Sequence, residues 1–414
     1  MRRIAARSLP QCPAQRGQIV LGLLVILGLA FGLAFYTFVG PKGSTIERDK
    51  ITAAALAQAR DALIGRAVSD TNRPGSLPCP DTTNDGTSEG LSGNECPSYI
   101  GRLPWKTLGL SDLRDGNGER LWYAFSRNFR DDSTAQPINT DTKGSLTVYS
   151  NTTGTTLTSQ AAAVIFAPGA AFGTQDRSSS TTMSCTAPSG TISRDRCAAN
   201  YLETTSSTNN AVAAGPYIQA PATNTFNDRL LVITTDDLMT PVERRAANEI
   251  ISLLQTYYTT YGYYPWPDIS DGSSNWGYTY GRVPLENAAS TESSWPWRTT
   301  PNWPVAVSPW LNNNEWWWVF FYTVASGATR TNPAGCNLAT GTSCLNINNG
   351  ASYARAILIT TGPAGANRPM GSVGSWNDSW WSNYVDDSNN SDLGTWFITP
   401  TSTAYARDRL YTFP

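Results

Sequence analysis

Apolar positions along the chain change their spacing from segment to segment, and each spacing predicts a different element. From Ile19 to Val39 they run without a charged residue. At about 1.5 Å rise per residue, a helix over that run is roughly 30 Å long, enough to cross the hydrocarbon core of a bilayer. Pro41 and Gly43 interrupt it. From Ile46 to Val68 the pattern becomes amphipathic, with Ile51, Ala55, Leu56, Ala59, Ala62 and Leu63 at i, i+3 and i+4, which predicts a helix with one buried face. A second such helix is predicted over "TPVERRAANEIISLLQTYYTTYG". Thr240, Pro241 and Glu243 would open it as a capping box with proline at the first helical position. Ile250, Leu253, Leu254 and Tyr257 would form its buried stripe, and Gly262 would close it. The short dense runs "LWYAF", "AAVIFA", "LLVIT", "WWWVFF" and "AILIT" read as strand cores.

These runs belong to blocks that occur twice in one order. After the first helix come "RPGSLPCPD" (Arg73 to Asp81), "GRLP" (Gly101 to Pro104), "ERLWYAFS", "AAVIFAPGAA" and "NDRLLVIT". After the second come "YGYYPWPD" (Tyr261 to Asp268), "GRVP" (Gly281 to Pro284), "EWWWVFFY", "RAILITTGPAGA" and "RDRLYTF". Repetition of whole blocks in order is the mark of a duplicated unit. The two units span residues 44–238 and 239–414. Aligning the blocks sets Trp318 against Trp122 and makes Trp318 a core residue.

Charge adds an orientation. Arg2, Arg3, Arg7 and Arg16 precede the apolar run with no acidic residue among them, which places the N-terminus in the cytoplasm and residues 40–414 outside it. Lys+Arg 30 against Asp+Glu 32 leaves no electrostatic case for nucleic acid. With no histidine in the chain, Ser-His-Asp and Cys-His chemistry and His-ligated zinc are excluded. No nucleophile-base pair, phosphate loop or paired-carboxylate pattern appears, so no enzyme is expected. Cys12 stands alone, while Cys79 with Cys96, Cys185 with Cys197 and Cys336 with Cys344 fall as close neighbours without C-x-x-C spacing. Three local disulfides in an oxidising compartment are expected.

The junction "QRGQIVLGLLVILG" carries a resemblance. A short basic leader ending in glycine and opening into an apolar helix resembles the signal of type IV pilins and type II secretion pseudopilins. The resemblance implies a leader over 1–17, prepilin peptidase cleavage between Gly17 and Gln18, and a helix over 18–40 that serves as membrane anchor and packing stalk. Two departures stand: Gln18 where the family prefers an apolar residue, and Gly22 where it carries a glutamate at the fifth mature position. That glutamate neutralises a neighbouring subunit's amine in an apolar bundle, where an unpaired charge is costly. The large minor pseudopilin at the pseudopilus tip departs in the same way. The run "LPCPD … GRLPW … LRDGNGERLWYA" is similar to large minor pilins of type IV pilus and pseudopilus gene sets, and "YGYYP" to a turn in major pseudopilin heads. A single-pass anchor that is never processed would share the junction.

The fold expected is therefore α+β: an N-terminal transmembrane helix followed by two tandem pilin-like modules, each a helix packed on a small antiparallel sheet. The function implied is a structural minor pilin or pseudopilin that initiates or caps a fibre tip, seated in a bacterial inner membrane with its bulk periplasmic, or at the cell surface once assembled. Its partners would be other minor pilins, prepilin peptidase and the membrane. Two weaker sites remain open. Asp81, Asn84, Asp85 and Glu89 offer oxygen ligands for calcium in the Cys79–Cys96 loop, or simply form a hydrogen-bonded turn. All tryptophans except Trp105 and Trp122 follow residue 239. Among them, Trp295, Trp297, Trp303, Trp376, Trp380 and Trp381 either cap the sheets or form an aromatic surface for polysaccharide or another surface ligand, which would make the C-terminal half an adhesin.

Overall fold

The computed structural model describes residues 45–150, 154–205, 208–267, 279–284, 303–316, 319–360, 362, 396–397 and 409–413. The Gly17–Gln18 junction, Gly22 and the Ile19–Val39 run lie outside them. Among the described residues no helix is long and apolar enough to cross a membrane.

The chain is mixed α+β with several small sheets. Helix α1 covers residues 45–69 and buries Thr52, Ala55, Leu56, Ala59, Leu63 and Ala67. Ile51, expected inside, is 45% exposed, because the buried stripe runs through Thr52 one residue on. Thr52 is satisfied there: its hydroxyl donates to the Arg48 carbonyl and accepts from the Gly116 amide.

The first sheet uses β1 (Ile100–Arg102), β2 (Trp122–Phe125), β3 (Leu146–Tyr149), β4 (Thr156–Ala167), β7 (Tyr217–Ile218) and β8 (Arg229–Thr234), with the hairpin β5 (Thr182–Thr186) and β6 (Ser189–Ser193) apart from it. Helix α2 (Thr235–Tyr261) follows β8 directly. The second sheet runs β15 (Arg409–Phe413), β13 (Ala356–Thr360), β10 (Phe320–Val324), β9 (Tyr280–Arg282). A small third sheet joins β11 (Leu345–Ile347), β12 (Ser352–Ala354) and β14 (Trp396–Phe397), and a short α3 covers Pro309–Asn313.

The repeated blocks occupy matching places in the two sheets. In the first, Arg102 pairs with Trp122, Trp122 with Phe166 and Phe166 with Leu230. In the second the corresponding row is Arg282, Phe321, Ile359 and Leu410. The next row, Gly101, Tyr123, Ile165 and Leu231, is answered by Gly281, Tyr322, Leu358 and Tyr411. This register corrects one expectation. Phe321, not Trp318, stands where Trp122 stands, because backbone pairing to "GRVP" begins after the tryptophan triplet. Trp316 is buried in a turn before the strand, while Trp317 and Trp318 lie outside the described residues.

The start of α2 is a second correction. Its N-cap is Thr234, whose side chain accepts from the Asp237 amide while Asp237 accepts from the Thr234 amide, a complete capping box. Pro241 lies inside the helix rather than at its first position. "TPVE" and "TTDD" carry similar signals, and only the second abuts the end of a strand. Thr240 and fully buried Glu243 instead hold the last strand: Arg409 reaches Glu243 Oε2 at 3.3 Å and Thr240 Oγ1 at 2.9 Å. The boundary drawn between residues 238 and 239 thus falls within α2. Gly262 closes that helix at φ 77°, as its missing Cβ permits.

The halves share one core. Leu63 and Ala67 of α1, Val242, Ile250 and Leu254 of α2, and Tyr322, Ile357 and Phe413 of the second sheet belong to a single buried cluster. A second cluster, with Trp122, Val164, Phe166, Tyr201 and Tyr217, fills the far face of the first sheet beneath the excursion between β4 and β8. Arg245 of α2 joins the halves, donating to the Val68 and Asp70 carbonyls at the end of α1, the latter at 2.8 Å. Its guanidinium lies 4.1 Å from the Trp310 ring centroid, and Trp310 Nε1 donates to Glu249 at 3.1 Å. Truncating Arg245 leaves two helix-end carbonyls short of a charged donor, each such bond being worth about 1.5–3 kcal/mol. Arg245→Ala should therefore lower the denaturation midpoint of both halves together in one transition. Two separate transitions, with only one displaced, would show that the halves fold independently.

Candidate functional site

The loop "CPDTTNDG" is organised by one carboxylate. Asp81 is 1% exposed. Its Oδ1 accepts from the Thr83 amide at 2.9 Å and the Asn84 amide at 2.6 Å, and its Oδ2 from the Gly86 amide at 2.6 Å. Glu89 accepts from the Thr82 amide and hydroxyl, and Asp85 from the Thr87 amide. Asn84 turns its side-chain oxygen to Arg120 at 2.9 Å. The structure thus spends these oxygens on local N–H and O–H donors. Among the described residues no group of three acidic, cysteine or histidine side chains is placed to hold a metal ion. Gly86 has φ 88°, and a Cβ there would lie 2.5 Å from the Trp105 ring, so glycine is required.

The three disulfides form as paired in the sequence: Cys79–Cys96, Cys185–Cys197 and Cys336–Cys344. The second ties the excursion between β4 and β8, and that excursion forms one side of a cleft on the first half. The cleft has a volume of about 290 Å³ and is lined by Arg102, Arg114, Arg120, Arg177, Glu119, Asp195, Asn84, Ser179 and Tyr201. Four sequence segments converge there: "CPDTTNDG" brings Asn84, "GRLP" brings Arg102, "LRDGNGER" brings Arg114, Glu119 and Arg120, and the excursion between β4 and β8 brings Arg177, Ser179, Asp195 and Tyr201.

Each arginine is held differently. Arg120 makes a two-pronged pair with Asp112, Nε to Oδ1 at 2.8 Å and Nη2 to Oδ2 at 3.1 Å. That pairing raises its pKa. Arg114 is half exposed and also reaches Asp112, at 2.7 Å. Arg177 pairs with Glu119 at 3.0 Å and lies 4.5 Å from the Tyr201 ring. Arg102 is 4% exposed and has no carboxylate within ion-pair distance among the described residues. It donates to the carbonyls of Arg120 at 2.9 Å and Asp195 at 3.2 Å, and its guanidinium lies 4.5 Å from the Trp122 ring and 3.9 Å from the Tyr201 ring. Its Nε has no hydrogen-bond partner among the described residues. Burial pulls its pKa down to about 10, so it keeps its charge at neutral pH.

Of the tryptophans singled out in the sequence, only Trp303 is described. It is half-buried, donates to the Pro284 carbonyl at 3.2 Å and sits edge-on to Tyr257. It caps the second half rather than standing open. Trp295, Trp297, Trp376, Trp380 and Trp381 lie outside the described residues. The cleft was missed because its parts are far apart in sequence and because "LRDGNGER" reads as a turn. It is one: Asp115 accepts from the Asn117, Glu119 and Gly169 amides. No family model, curated protein or solved structure matches the chain.

Behind the cleft lies a buried carboxyl pair. Asp228 is 1% exposed and accepts from the Glu203 amide and from Asn210 Nδ2, while Glu203 accepts from the Asn227 and Asp228 amides. Glu203 also accepts from Gln175, whose own oxygen takes Arg177. Burial first, and the neighbouring Glu203 second, push the Asp228 pKa well above the usual carboxylate range. The folded chain then holds a proton that the unfolded chain releases near pH 3.9. Stability from this group is complete below that pH and is lost as pH rises through the folded value. Asp228→Asn mimics the neutral form. It should melt above the wild type at pH 8, with the gap closing toward pH 4. A gap that does not change with pH would exclude a proton held at Asp228.

Proposed function

We propose that the chain is an exported structural subunit of the type IV pilin and type II secretion pseudopilin kind, placed at the tip of its fibre. The observation that carries this reading is a double head with a single place for a stalk. Helix α1 is preceded by the Ile19–Val39 run, while α2 follows β8 without a linker and is closed by the Thr234 box. Of the two helices, only α1 follows an apolar run of membrane-spanning length in the sequence. The second half, joined through a common core, adds bulk but no second stalk.

In a side-by-side helical lattice that bulk would need room at every turn. At the end of a fibre no subunit stands above it. Gly22 points to the same position, since it supplies no carboxylate for a later subunit's amine in an apolar bundle. The oxidising compartment required by three disulfides agrees with an exported head. Prepilin peptidase, the inner membrane and other minor pilins are the partners this role requires. No catalytic step is assigned.

Two measurements test it. Mass spectrometry of the membrane-bound protein should find a mature N-terminus at Gln18, and an intact Met1 in cells with active prepilin peptidase would favour a plain anchor. Immunogold labelling of sheared fibres should find the head only at one end. Uniform labelling along the shaft would remove the tip assignment.

A further inference from the structure

We infer that the arginine-lined cleft beneath the Cys185–Cys197 excursion is a binding site for a polyhydroxylated monocarboxylate, a sugar acid of about one ring. The inference stands apart from fibre assembly and needs only that the head fold. Four guanidiniums meet there, those of Arg102, Arg114, Arg120 and Arg177. Two carboxylates share the wall, Glu119 and Asp195, and Asp112 stands behind Arg114 and Arg120. The count leaves one cation in excess, and the one without a carboxylate at ion-pair distance is Arg102. A buried charge held only by carbonyls and rings is costly until a counter-charge arrives. A single carboxylate entering the cleft would supply it.

The rest of the lining describes the remainder of the ligand. Glu119 and Asp195 would repel a dianion but accept hydroxyl protons. Asp195 in particular has an Oδ1 without a partner among the described residues, and its Oδ2 is only 3.5 Å from Asn84 Nδ2. Ser179 and Asn84 add further donors and acceptors. The volume of about 290 Å³ lies at the small end of ligand sites, which run roughly 300–1,000 Å³. A ring bearing one carboxylate and several hydroxyls answers this lining, and inorganic phosphate and neutral sugars do not.

The site joins an arginine that both halves share to residues of the excursion. Arg282, the counterpart of Arg102, lies 4.0 Å from the Phe321 ring, so the stacked arginine is common to both halves. Arg177, Ser179, Asp195 and Tyr201 come from the segment between β4 and β8.

The test is calorimetric titration of the full-length protein in detergent with glucuronate, galacturonate, glucose, inorganic phosphate and trigalacturonate. Uronate should bind, while glucose and phosphate should bind at least about tenfold more weakly. Arg114→Glu reverses a half-exposed charge at the rim and should weaken uronate at least about tenfold in protein that still melts in a cooperative transition. Arg114→Lys should stay within about threefold. Equal binding of glucose, tighter binding of phosphate, or no heat from any uronate would overturn the assignment. Trigalacturonate binding more tightly than the monomer would identify an acidic polysaccharide as the source of the carboxylate, and equal affinity a free sugar acid. Both results uphold the site.

Discussion

Thr234 is the residue on which the architecture turns. It ends β8, the strand that closes the first sheet, and it caps α2, the helix that opens the second half. Its capping box with Asp237 leaves no residue between strand and helix, so the second half cannot move away on a linker. Arg60 reinforces the joint from α1, reaching Asp237 at 2.7 Å. A helix tied this way brings its apolar stripe against whatever packs on the first sheet. Leu238 and Met239 are fully buried one turn into α2, and from there the common core extends to Tyr322 and Phe413. Units that look tandem in sequence are fused in space because a helix cap took the place of a linker.

The fusion also explains where charge is buried. A shared interior forces polar groups at the seam to find partners across it. Arg245 finds the carbonyl end of α1, and Glu243 finds Arg409 from the last strand. In the first half Arg73 is similarly enclosed, giving its guanidinium to the carbonyls of Asn128, Arg130 and Gln136. These arginines satisfy backbone that the irregular loops cannot pair for themselves, which is what an arginine fork does well. In a chain where charged residues are 15% of the total, those that enter the interior are used to close loop backbone.

How much of this was legible in the sequence depended on whether the signal was local. Helix α1 and the end of α2 at Gly262 followed from period and capping chemistry. The dense runs "LWYAF", "AAVIFA", "LLVIT" and "AILIT" were legible as strand cores, and all four fall on strands. Cysteines near one another in sequence paired with one another. What failed was any choice between similar local signals. "TPVE" and "TTDD" look alike until a strand is known to end at Thr234, and aligning tryptophan on tryptophan hides a register fixed by "GRVP". Ile51 was placed inside by counting apolar residues, whereas Thr52 is inside because it bonds the Gly116 turn. The cleft was illegible for a different reason. Its arginines come from blocks that each have a sufficient local explanation as a turn or a strand end, and only the fold brings them to one place.

The two halves share one arrangement of helix, strands and arginine, and in the first half further groups gather around that arginine. The unit requires a helix, four strands in one order, and an arginine at the end of the first strand lying over an aromatic ring of the second. In the first half the disulfide-tied excursion lays Tyr201 on the other side of Arg102 and brings Arg177 to the same ring, at 3.9 and 4.5 Å. A structural cation thereby becomes one wall of a concave surface, with hydroxyl and carboxylate groups added around it. The strand pairing common to both halves holds the charge and its burial, and the segment between β4 and β8 gives the shape.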